Sequence, residues 1–446
     1  MTVTTLVERG DLSRAARTFL RTESGSAVLL LTAALLALVW ANLATGYEDF
    51  WHTELSLGFG SSELALDMRH WVNDGLMVLF FFSVGLEISR EMVLGELRGV
   101  RALATPAVAA LGGLTVPAVL FLLFNAGGEA ANAWGIAIST DTAVVMGVLA
   151  LVGPRCPDQL RVFLLALAIV DDIGAVAAIA VFYTEDVQGT ALVLAGVMFA
   201  ALIGLRFARF WRTPIYLLIG VVMWLAVLES GVHPSVVGVA MGLLVNAYAP
   251  RPRDLARAQM LGGSFQLDPS PERAFAAQAA VTEAVSPNER LQLRIQPWSS
   301  YVIVPVFVLA NAGVVLTGET LAAAARSPLT WGIIVGLTVG KLIGVTGGTW
   351  VALRTGIGRV PDTLRWGQIV GGAGLAGIGF TVALFVTELA LEDPALVTDA
   401  KIGILAGSLL AALSGWLLFR LAGERGGQCA PSGLPVLPPR PWRPPA

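Results

Sequence analysis

Long apolar runs follow one another along most of this 446-residue chain and are separated by short polar segments. A helix needs about 20 mostly apolar residues to cross the hydrocarbon core of a bilayer. By that measure the pattern predicts twelve spanning helices, centred near residues 35, 79, 113, 142, 170, 199, 221, 241, 307, 342, 378 and 412. We therefore expect an all-α integral membrane protein.

The segments outside these runs divide the chain. Residues 1–24 are expected to form an N-terminal segment, 25–423 the transmembrane domain and 424–446 a disordered Pro-rich tail. The longest loop covers residues 249–297, which are charged and expected to be partly disordered. Residues 45–70 are polar and turn-rich, and alternation at their centre predicts a short hairpin.

Composition agrees with a membrane protein. Only 14% of the residues are charged and 55% are hydrophobic, with a mean hydropathy of +0.73, whereas soluble domains carry about a quarter charged residues. The net charge of −3 is too small to indicate a nucleic-acid partner. Cys156 and Cys429 indicate no disulfide framework, and with His52, His70 and His233 they show no metal-ligand spacing.

Basic residues predict the orientation. The N-terminal segment, alternate loops and the C-terminal segment hold 25 of the 29 Lys and Arg residues. The other alternate loops hold Arg69, Arg326 and Lys401, and Lys341 lies within a span. By the positive-inside rule, both termini are expected to be cytoplasmic, in a multi-pass protein of a bacterial inner membrane.

Several ionisable residues remain inside the predicted spans. Each charge near the bilayer centre costs at least about 2.5–3.5 kcal/mol unless it is paired, neutralised or hydrated. On one interpretation, Asp74 and Glu87 reach the membrane interface and Asp141 simply bonds to backbone. The ionisable residues inside the predicted spans are Asp74, Glu87, Asp141, Asp171, Asp172 and Lys341.

Asp171 and Asp172 lie side by side in the run ALAIVDDIGAVAAIAVFYT. Neighbours on a helix point about 100° apart, so the two carboxylates need not share a partner. One can take Lys341 as its counter-ion while the other faces a hydrated cavity. Carboxylate oxygens suit Na⁺ or Li⁺, and an adjacent pair titrates as a coupled unit. A site that holds either protons or a small cation predicts an exchanger.

Two spans are interrupted by polar or glycine residues. Residues 132–152 contain Ser139-Thr140-Asp141-Thr142, and residues 367–390 contain GGAGLAGIGFT. Small residues are common where membrane helices pack closely. The alternative is a pair of discontinuous helices in two inverted repeats, whose half-helix ends meet near the midplane. Their dipoles would stabilise Asp141 and Lys341. The glycines that interrupt the second of these spans are Gly371, Gly372, Gly374, Gly377 and Gly379.

Over about residues 15–422, the sequence resembles the bacterial NhaA-type sodium/proton antiporters. The resemblance is carried by the order and spacing of WVNDGLMVLFFFSVGLEISRE, WGIAISTDTAVVMGVLALVG, LAIVDDIGAVAAIAVFYT, SGVHPSVVGVAMG, PVFVLANAGV, VGKLIG and GIGFTVALFV. It implies that Asp172 is the principal cation and proton carboxylate, with Asp171 as its partner. Lys341 matches the lysine that pairs with this site, and Thr140 and Asp141 match the polar pair at the crossing.

The resemblance also implies peripheral roles. Asp74 and Glu87 match acidic residues near the cytoplasmic funnel, Glu91 matches one at its mouth, and His233 matches a histidine linked to the pH response. From the residues alone, His233 is instead a helix-start residue at the external interface. Before Pro297-Trp298, where family members have Glu and His residues of a pH-sensing region, this chain departs from the pattern. It has Gln292, Leu293 and Gln296 there, so a different pH range of activity remains open.

We therefore expect a secondary transporter that exports Na⁺ or Li⁺ in exchange for inward-moving H⁺, with electrogenic exchange that supports pH and sodium homeostasis. No cofactor is expected, and the partners are these ions, the lipid bilayer and, through residues 45–70, a second copy of the chain. The alternative is a Na⁺-coupled symporter of a small organic solute, which predicts a roomier polar cavity. An enzyme is not expected, because no serine–histidine pair accompanies the aspartates. Proton coupling would exclude a passive channel.

Overall fold

The computed structural model describes residues 23–59, 62–94, 100–152, 158–184, 188–207, 213–361 and 364–422. Most of the N-terminal segment, the Pro-rich tail and both cysteines lie outside the described residues. The predictions for the tail therefore stay predictions.

The elements of the first part of the chain include one short antiparallel hairpin, β1–β2. They are α1 (Glu23–Leu43), α2 (Tyr47–Trp51), β1 (Glu54–Phe59), β2 (Ser62–Asp67), α3 (Met68–His70), a π-helical segment (Trp71–Leu76), α4 (Met77–Val93), α5 (Val100–Asn125), a 3₁₀ segment (Glu129–Ile136), α6 (Thr142–Val152), α7 (Asp158–Phe182), α8 (Gly189–Phe207), α9 (Thr213–Glu229) and α10 (Ser235–Leu244).

The described elements of the second part are all helical. They are α11 (Pro252–Leu267), α12 (Pro271–Ala284), α13 (Pro287–Trp298), a π-helical segment (Ser299–Ile303), α14 (Val304–Asn311), α15 (Gly318–Ala324), α16 (Pro328–Val335), a π-helical segment (Gly336–Gly340), α17 (Lys341–Arg354), α18 (Trp366–Leu375), α19 (Phe380–Ala390) and α20 (Pro394–Leu421).

The predicted spans coincide with these helices. Every predicted centre lies in a helix except the one near 378, which lies in the break between α18 and α19. Within the described ranges, seven helices are long and apolar enough to cross a membrane, and the pair α18–α19, bent by 42°, makes an eighth span. Three shorter apolar helices also lie at predicted centres, Thr142–Val152, Ile215–Glu229 and Ser235–Leu244. The all-α membrane class is confirmed.

The expectation of partial disorder in residues 249–297 is wrong, because this segment forms α11, α12 and α13. The side chains of Ser270 and Ser286 each accept a backbone N–H at the start of a helix, and a proline follows each serine. Such a cap and proline pre-organise the first turn. Arg257 of α11 also forms an ion pair with Glu283 of α12, with 3.1 Å between Nη1 and Oε2.

The hairpin predicted within residues 45–70 is present, with Glu54 opposite Asp67 in the register. Asp67 ends β2 and caps α3, because its Oδ1 accepts the backbone N–H of His70 at 2.7 Å. Its Oδ2 lies 3.0 Å from Nδ1 of His52. Burial raises the pKa of Asp67, but the hydrogen bonds from His70 and His52 outweigh burial and lower that pKa below its ordinary value of 3.8.

We expect Asp67→Ala to destabilise the hairpin by about 1 kcal/mol, the usual cost of losing a cap. The pKa of Asp67 is lowered in the folded state, so the stability that its carboxylate contributes is complete above pH 3.8. This stability is lost as the pH falls below 3.8 and through the lowered pKa. Hydrogen exchange of residues 54–67 measures the effect, with Asp49→Asn, at an exposed site, as the control. Equal protection in the variant and the parent at neutral pH would contradict the capping role.

Glycines let α5 and α17 approach each other closely. A Cβ added at Gly344 would lie 2.2 Å from the carbonyl oxygen of Gly112, and one at Gly348 would lie 2.4 Å from that of Val108. No side chain fits at these points, so the small residues set the distance between the helix axes. This contact places Lys341, at the start of α17, beside α5.

We expect Gly344→Val to destabilise the protein by at least about 1–3 kcal/mol, because α5 and α17 must separate to admit the side chain. Gly347→Ala is a matched control on the same helix, since a Cβ at Gly347 meets nothing within 4 Å. Thermal unfolding in detergent, followed by size-exclusion chromatography, measures both variants. A Gly344→Val protein that is as stable as Gly347→Ala would refute the close-contact argument.

Candidate functional site

Two interrupted helices cross at the centre of the protein. The first is the 3₁₀ segment followed by α6, and the second is α18 followed by α19. Across the crossing, the backbone N–H of Asp141 donates to the carbonyl of Ile378 at 2.6 Å, and the hydroxyl of Ser139 donates to that of Gly379 at 2.9 Å. Backbone groups freed at one break are therefore satisfied at the other, which is how irregular backbone is tolerated at membrane depth.

Asp141 lies at the N-termini of two half-helices. Its Oδ1 accepts the backbone N–H of Val144 in α6 at 3.1 Å, and its Oδ2 accepts that of Thr381 in α19 at 3.2 Å. Helix N-termini carry partial positive charge and unpaired N–H groups, so both stabilise this carboxylate. The backbone-bonding interpretation of Asp141 is therefore what the structure shows, and the same residue also lines a cavity.

Asp171 and Lys341 form a buried ion pair. The Lys341 side chain is 0% exposed and that of Asp171 is 2% exposed, with 2.5 Å between Nζ and Oδ2. The Thr140 hydroxyl lies 2.6 Å from the same Oδ2 and 3.0 Å from the carbonyl oxygen of Ala376, and its one proton serves one acceptor at a time. Among the described residues, Oδ1 of Asp171 has no hydrogen-bond partner.

Asp172 faces away from this pair and lines a cavity of about 210 Å³. Thr140 and Asp141 line the same cavity, as do Thr381 at the start of α19 and Glu87 of α4. The two neighbouring carboxylates therefore have different surroundings, one sealed against a lysine and the other facing open space. This is the arrangement that the 100° offset of adjacent helical residues predicts.

The cavity at Asp172 adjoins a larger vestibule. This first vestibule has a volume of about 430 Å³ and shares Glu87, Leu165 and Gln296 with the cavity. Glu91 lines it beside Glu87, and Arg90 lies 3.4 Å from Glu91. Its other polar lining residues are Arg90, Glu289 and Gln292.

Asp74 does not belong to the first vestibule, so its assignment to the funnel of Glu87 and Glu91 is wrong. It precedes Glu87 by 13 residues on one continuous helical path, which corresponds to about 20 Å along the axis. Asp74 instead lines a second vestibule of about 290 Å³ together with His233 and Glu388.

His233 lies two residues before Ser235, the first residue of α10. Its Nε2 lies 3.2 Å from Oδ1 of Asp74. Its Nδ1 lies 3.2 Å from the backbone N–H of Ser235 and 2.9 Å from the Ser235 hydroxyl. Because Nδ1 accepts a backbone N–H, the ring proton of a neutral His233 is on Nε2 and points to Asp74.

Three buried phenylalanine rings lie together beside the second vestibule. The ring of Phe385 lies 5.1 Å from Phe81 and 6.1 Å from Phe307, between centroids, and 5.0 Å from the ring of His233. Phe385 lines the second vestibule, whereas Asp172 does not. We call these rings the aromatic closure. The cavity at Asp172, which we call the central cavity, shares lining residues with the first vestibule and none with the second.

Sequence reasoning missed several residues around the site. Phe385 and Glu388 were not singled out, and Lys401 was assigned to a loop. That assignment is wrong, since α20 begins at Pro394 and Lys401 is buried within it, 3.0 Å from Glu388. The two residues lie on successive helices, so no local spacing in the sequence reveals the pair.

Comparison with known proteins identifies the family. The model of the family described as Na+/H+ antiporter 1 matches residues 17–419. The chain is 49% identical to Na(+)/H(+) antiporter NhaA 3 of Frankia alni over 96% of this chain and 94% of that protein. It is 45% identical to Na(+)/H(+) antiporter NhaA 1 of Mycolicibacterium vanbaalenii over 92% of this chain and 67% of that protein.

A solved structure is also similar. The sodium proton antiporter MjNhaP1 of Methanocaldococcus jannaschii at pH 8 matches with a TM-score of 0.45 and 11% identity, over 92% of this chain and 97% of that one. The family match confirms the predicted resemblance and gives no support to the symporter alternative. This multi-pass membrane protein is a transporter rather than an enzyme, and it belongs to the Na+/H+ antiporter 1 family, which exchanges sodium ions for protons.

Proposed function

We propose that Asp172 is the group that binds Na⁺ and H⁺ in alternation, and that the cycle exports Na⁺ while protons move inward. One observation supports this most directly. Of two adjacent carboxylates, Asp171 is sealed against Lys341, whereas Asp172 lines a cavity next to a vestibule. A carboxylate that has lost its proton is a ligand for Na⁺, and a protonated one is not, so the two ions compete for Asp172.

The size and lining of the cavity favour a small cation. Its volume of about 210 Å³ is below the roughly 300–1,000 Å³ of pockets for small organic molecules. Asp172, Asp141 and the Thr140 hydroxyl supply oxygen atoms around it. Oxygen ligands suit Li⁺ as well as Na⁺, so we include Li⁺ as a transported ion. Ion gradients supply the driving force, and no cofactor takes part.

The Asp171–Lys341 pair is the second proton site in this proposal. A proton lost from the pair leaves Lys341 neutral and frees Asp171 from its counter-ion, which makes a second carboxylate available near the cation. Two groups that each exchange a proton, Asp172 and the pair, return two protons for each Na⁺. Such exchange is electrogenic and supports control of internal pH and sodium.

The distribution of basic residues supports an orientation with both termini in the cytoplasm of a bacterial inner membrane. The first vestibule, with Glu87 and Glu91, then faces the cytoplasm, and the second vestibule faces outward. A tilt of one repeat against the other closes the first and opens the second. His233 is our candidate for the pH response, because its Nε2 lies 3.2 Å from Asp74 and its Nδ1 accepts the Ser235 N–H. The β1–β2 hairpin is available for contact with a second copy of the chain.

Inverted membrane vesicles from a host without its own Na⁺/H⁺ antiporters test the proposed ions. Respiration acidifies the lumen, and a fluorescent probe reports the pH gradient after addition of NaCl, LiCl or KCl between about pH 6.5 and 8.5. We expect Na⁺ and Li⁺, but not K⁺, to dissipate the gradient. Dissipation should be faster when the lumen is electrically more positive, because each cycle carries one net positive charge out of the lumen. No response to Na⁺ or Li⁺ at any pH would overturn the proposal.

A further inference from the structure

Glu388 and Lys401 form a partly buried ion pair outside the exchange site. The ammonium of Lys401 lies 3.0 Å from Oε1 of Glu388, and the two side chains are 5% and 19% exposed. Glu388 borders the second vestibule, whereas Lys401 lies within α20. Buried ion pairs are weak evidence for stability, because desolvation offsets much of the attraction. The position of this pair in the fold therefore suggests another role.

The helix that carries Glu388 runs from the exchange site to the second vestibule. At its first residues, α19 donates the backbone N–H of Thr381 to Asp141. One turn later comes Phe385, the central ring of the aromatic closure, and three residues after that comes Glu388. Residues three apart lie on the same side of a helix. Any displacement of Glu388 relative to its partner therefore also displaces Phe385.

The helix that carries Lys401 is held firmly by other helices. A Cβ added at Gly403 would lie 3.2 Å from the carbonyl oxygen of Thr330 in α16, and one at Gly374 of α18 would lie 3.0 Å from Cα of Gly415. These close backbone contacts fix α20 against both neighbours. Lys401 is thus a fixed charge, and Glu388 is the charge at the end of the helix that carries the closure.

We propose that Glu388 and Lys401 are positioning residues of the transport cycle, which hold α19 against α20 so that Phe385 closes the second vestibule. The pair forms in the state seen here and separates when the vestibule opens toward Asp172. The strength of the ion pair thereby sets the balance between the state in which the second vestibule is closed and the state in which it is open toward Asp172. This inference rests on the proposed site and on alternating access, but its test does not require that Asp172 bind the ion.

Cysteine labelling from each side of the membrane measures the closure directly. Val382 lines the central cavity beyond Phe385, so Val382→Cys, in a chain with Cys156→Ser and Cys429→Ser, places one thiol behind the closure. A membrane-impermeant thiol reagent is applied to vesicles of each orientation. Labelling from the first-vestibule side is the positive control. The variants are Glu388→Gln, Lys401→Met and the double variant, with Glu283→Gln of the exposed Arg257–Glu283 pair as the matched control.

We expect Glu388→Gln with Lys401→Met to label at least about fivefold faster from the second-vestibule side, with labelling from the first side unchanged or slower. Glu283→Gln should label as the parent does. The double variant leaves no unpaired buried charge, so it stays informative where a single variant fails to fold. Equal labelling of the double variant and the parent from the second-vestibule side overturns the proposal. Faster labelling in a protein whose exchange does not depend on Asp172 supports the pair's role while refuting the proposed site.

Discussion

Asp172→Asn is expected to abolish Na⁺- and Li⁺-dependent dissipation of the pH gradient, lowering exchange at least about a hundredfold. Asparagine fills nearly the same volume and keeps one oxygen in the cavity, but it neither binds a proton nor carries charge. Loss of a charged ligand interaction of about 3 kcal/mol corresponds to a hundredfold loss in affinity. Inverted vesicles with a fluorescent pH probe measure the effect, with NaCl and LiCl added at several pH values.

Two controls separate this result from a folding defect. Asp49→Asn removes a carboxylate from an exposed site near the hairpin, and it should exchange ions as the parent does. The amount of Asp172→Asn protein in the membrane, and its thermal unfolding temperature, should equal or exceed those of the parent, because a neutral side chain costs less to bury. Retention of more than about a tenth of the parent's exchange would show that another group carries the ion.

The sequence was most informative where the membrane restricts composition. Apolar runs predicted the helices because every span must hide its backbone from lipid. Asp171, Asp172 and Lys341 stood out because a charge in such a run is costly without a partner. The prediction that one carboxylate pairs with Lys341 and the other faces a cavity needed only helical geometry and the presence of one lysine within the spans as the sequence predicted them.

The sequence alone did not predict which side chains contact one another between helices. Asp74 was placed with Glu87 because the resemblance matches both to acidic residues near the funnel, yet the axial distance puts them in different vestibules. Lys401 was assigned to a loop because the last span was centred near residue 412, and a span of about 20 residues about that centre begins after Lys401. Its partner Glu388 lies on another helix, and the composition of residues 385–401 gives no sign of their contact.

Lys341→Met is expected to lower the free energy of unfolding by about 3–5 kcal/mol, the usual loss when one partner of a buried ion pair is removed. The Asp171 carboxylate then lies among α5, α7 and α17 with only the Thr140 hydroxyl close to Oδ2. Asp171→Asn should destabilise the protein for the converse reason, because it leaves the ammonium of Lys341 buried without its counter-ion. Thermal or denaturant unfolding in one detergent compares the variants.

The double variant Asp171→Asn with Lys341→Met isolates the pair. It removes both charges, so it should recover stability to within about 1 kcal/mol of the parent, and the double-mutant cycle then gives a large coupling energy. Arg257 and Glu283 form the matched control pair, since both side chains are exposed and their coupling should be at most about 1 kcal/mol. A Lys341→Met protein as stable as the parent would contradict the predicted cost of leaving the Asp171 carboxylate without its counter-ion.

The double variant Asp171→Asn with Lys341→Met also tests how many protons accompany each cation. If the pair exchanges one of two protons, its removal leaves only the proton of Asp172 to balance Na⁺, and exchange becomes electroneutral. Current recorded from liposomes on a solid support should then fall to background, while Na⁺ still dissipates a pH gradient across the same liposomes. Persistent current at an undiminished ratio of charge to Na⁺ would mean that the second proton binds elsewhere. Because Asp172 remains intact in this variant, loss of current can be told apart from loss of the cation site.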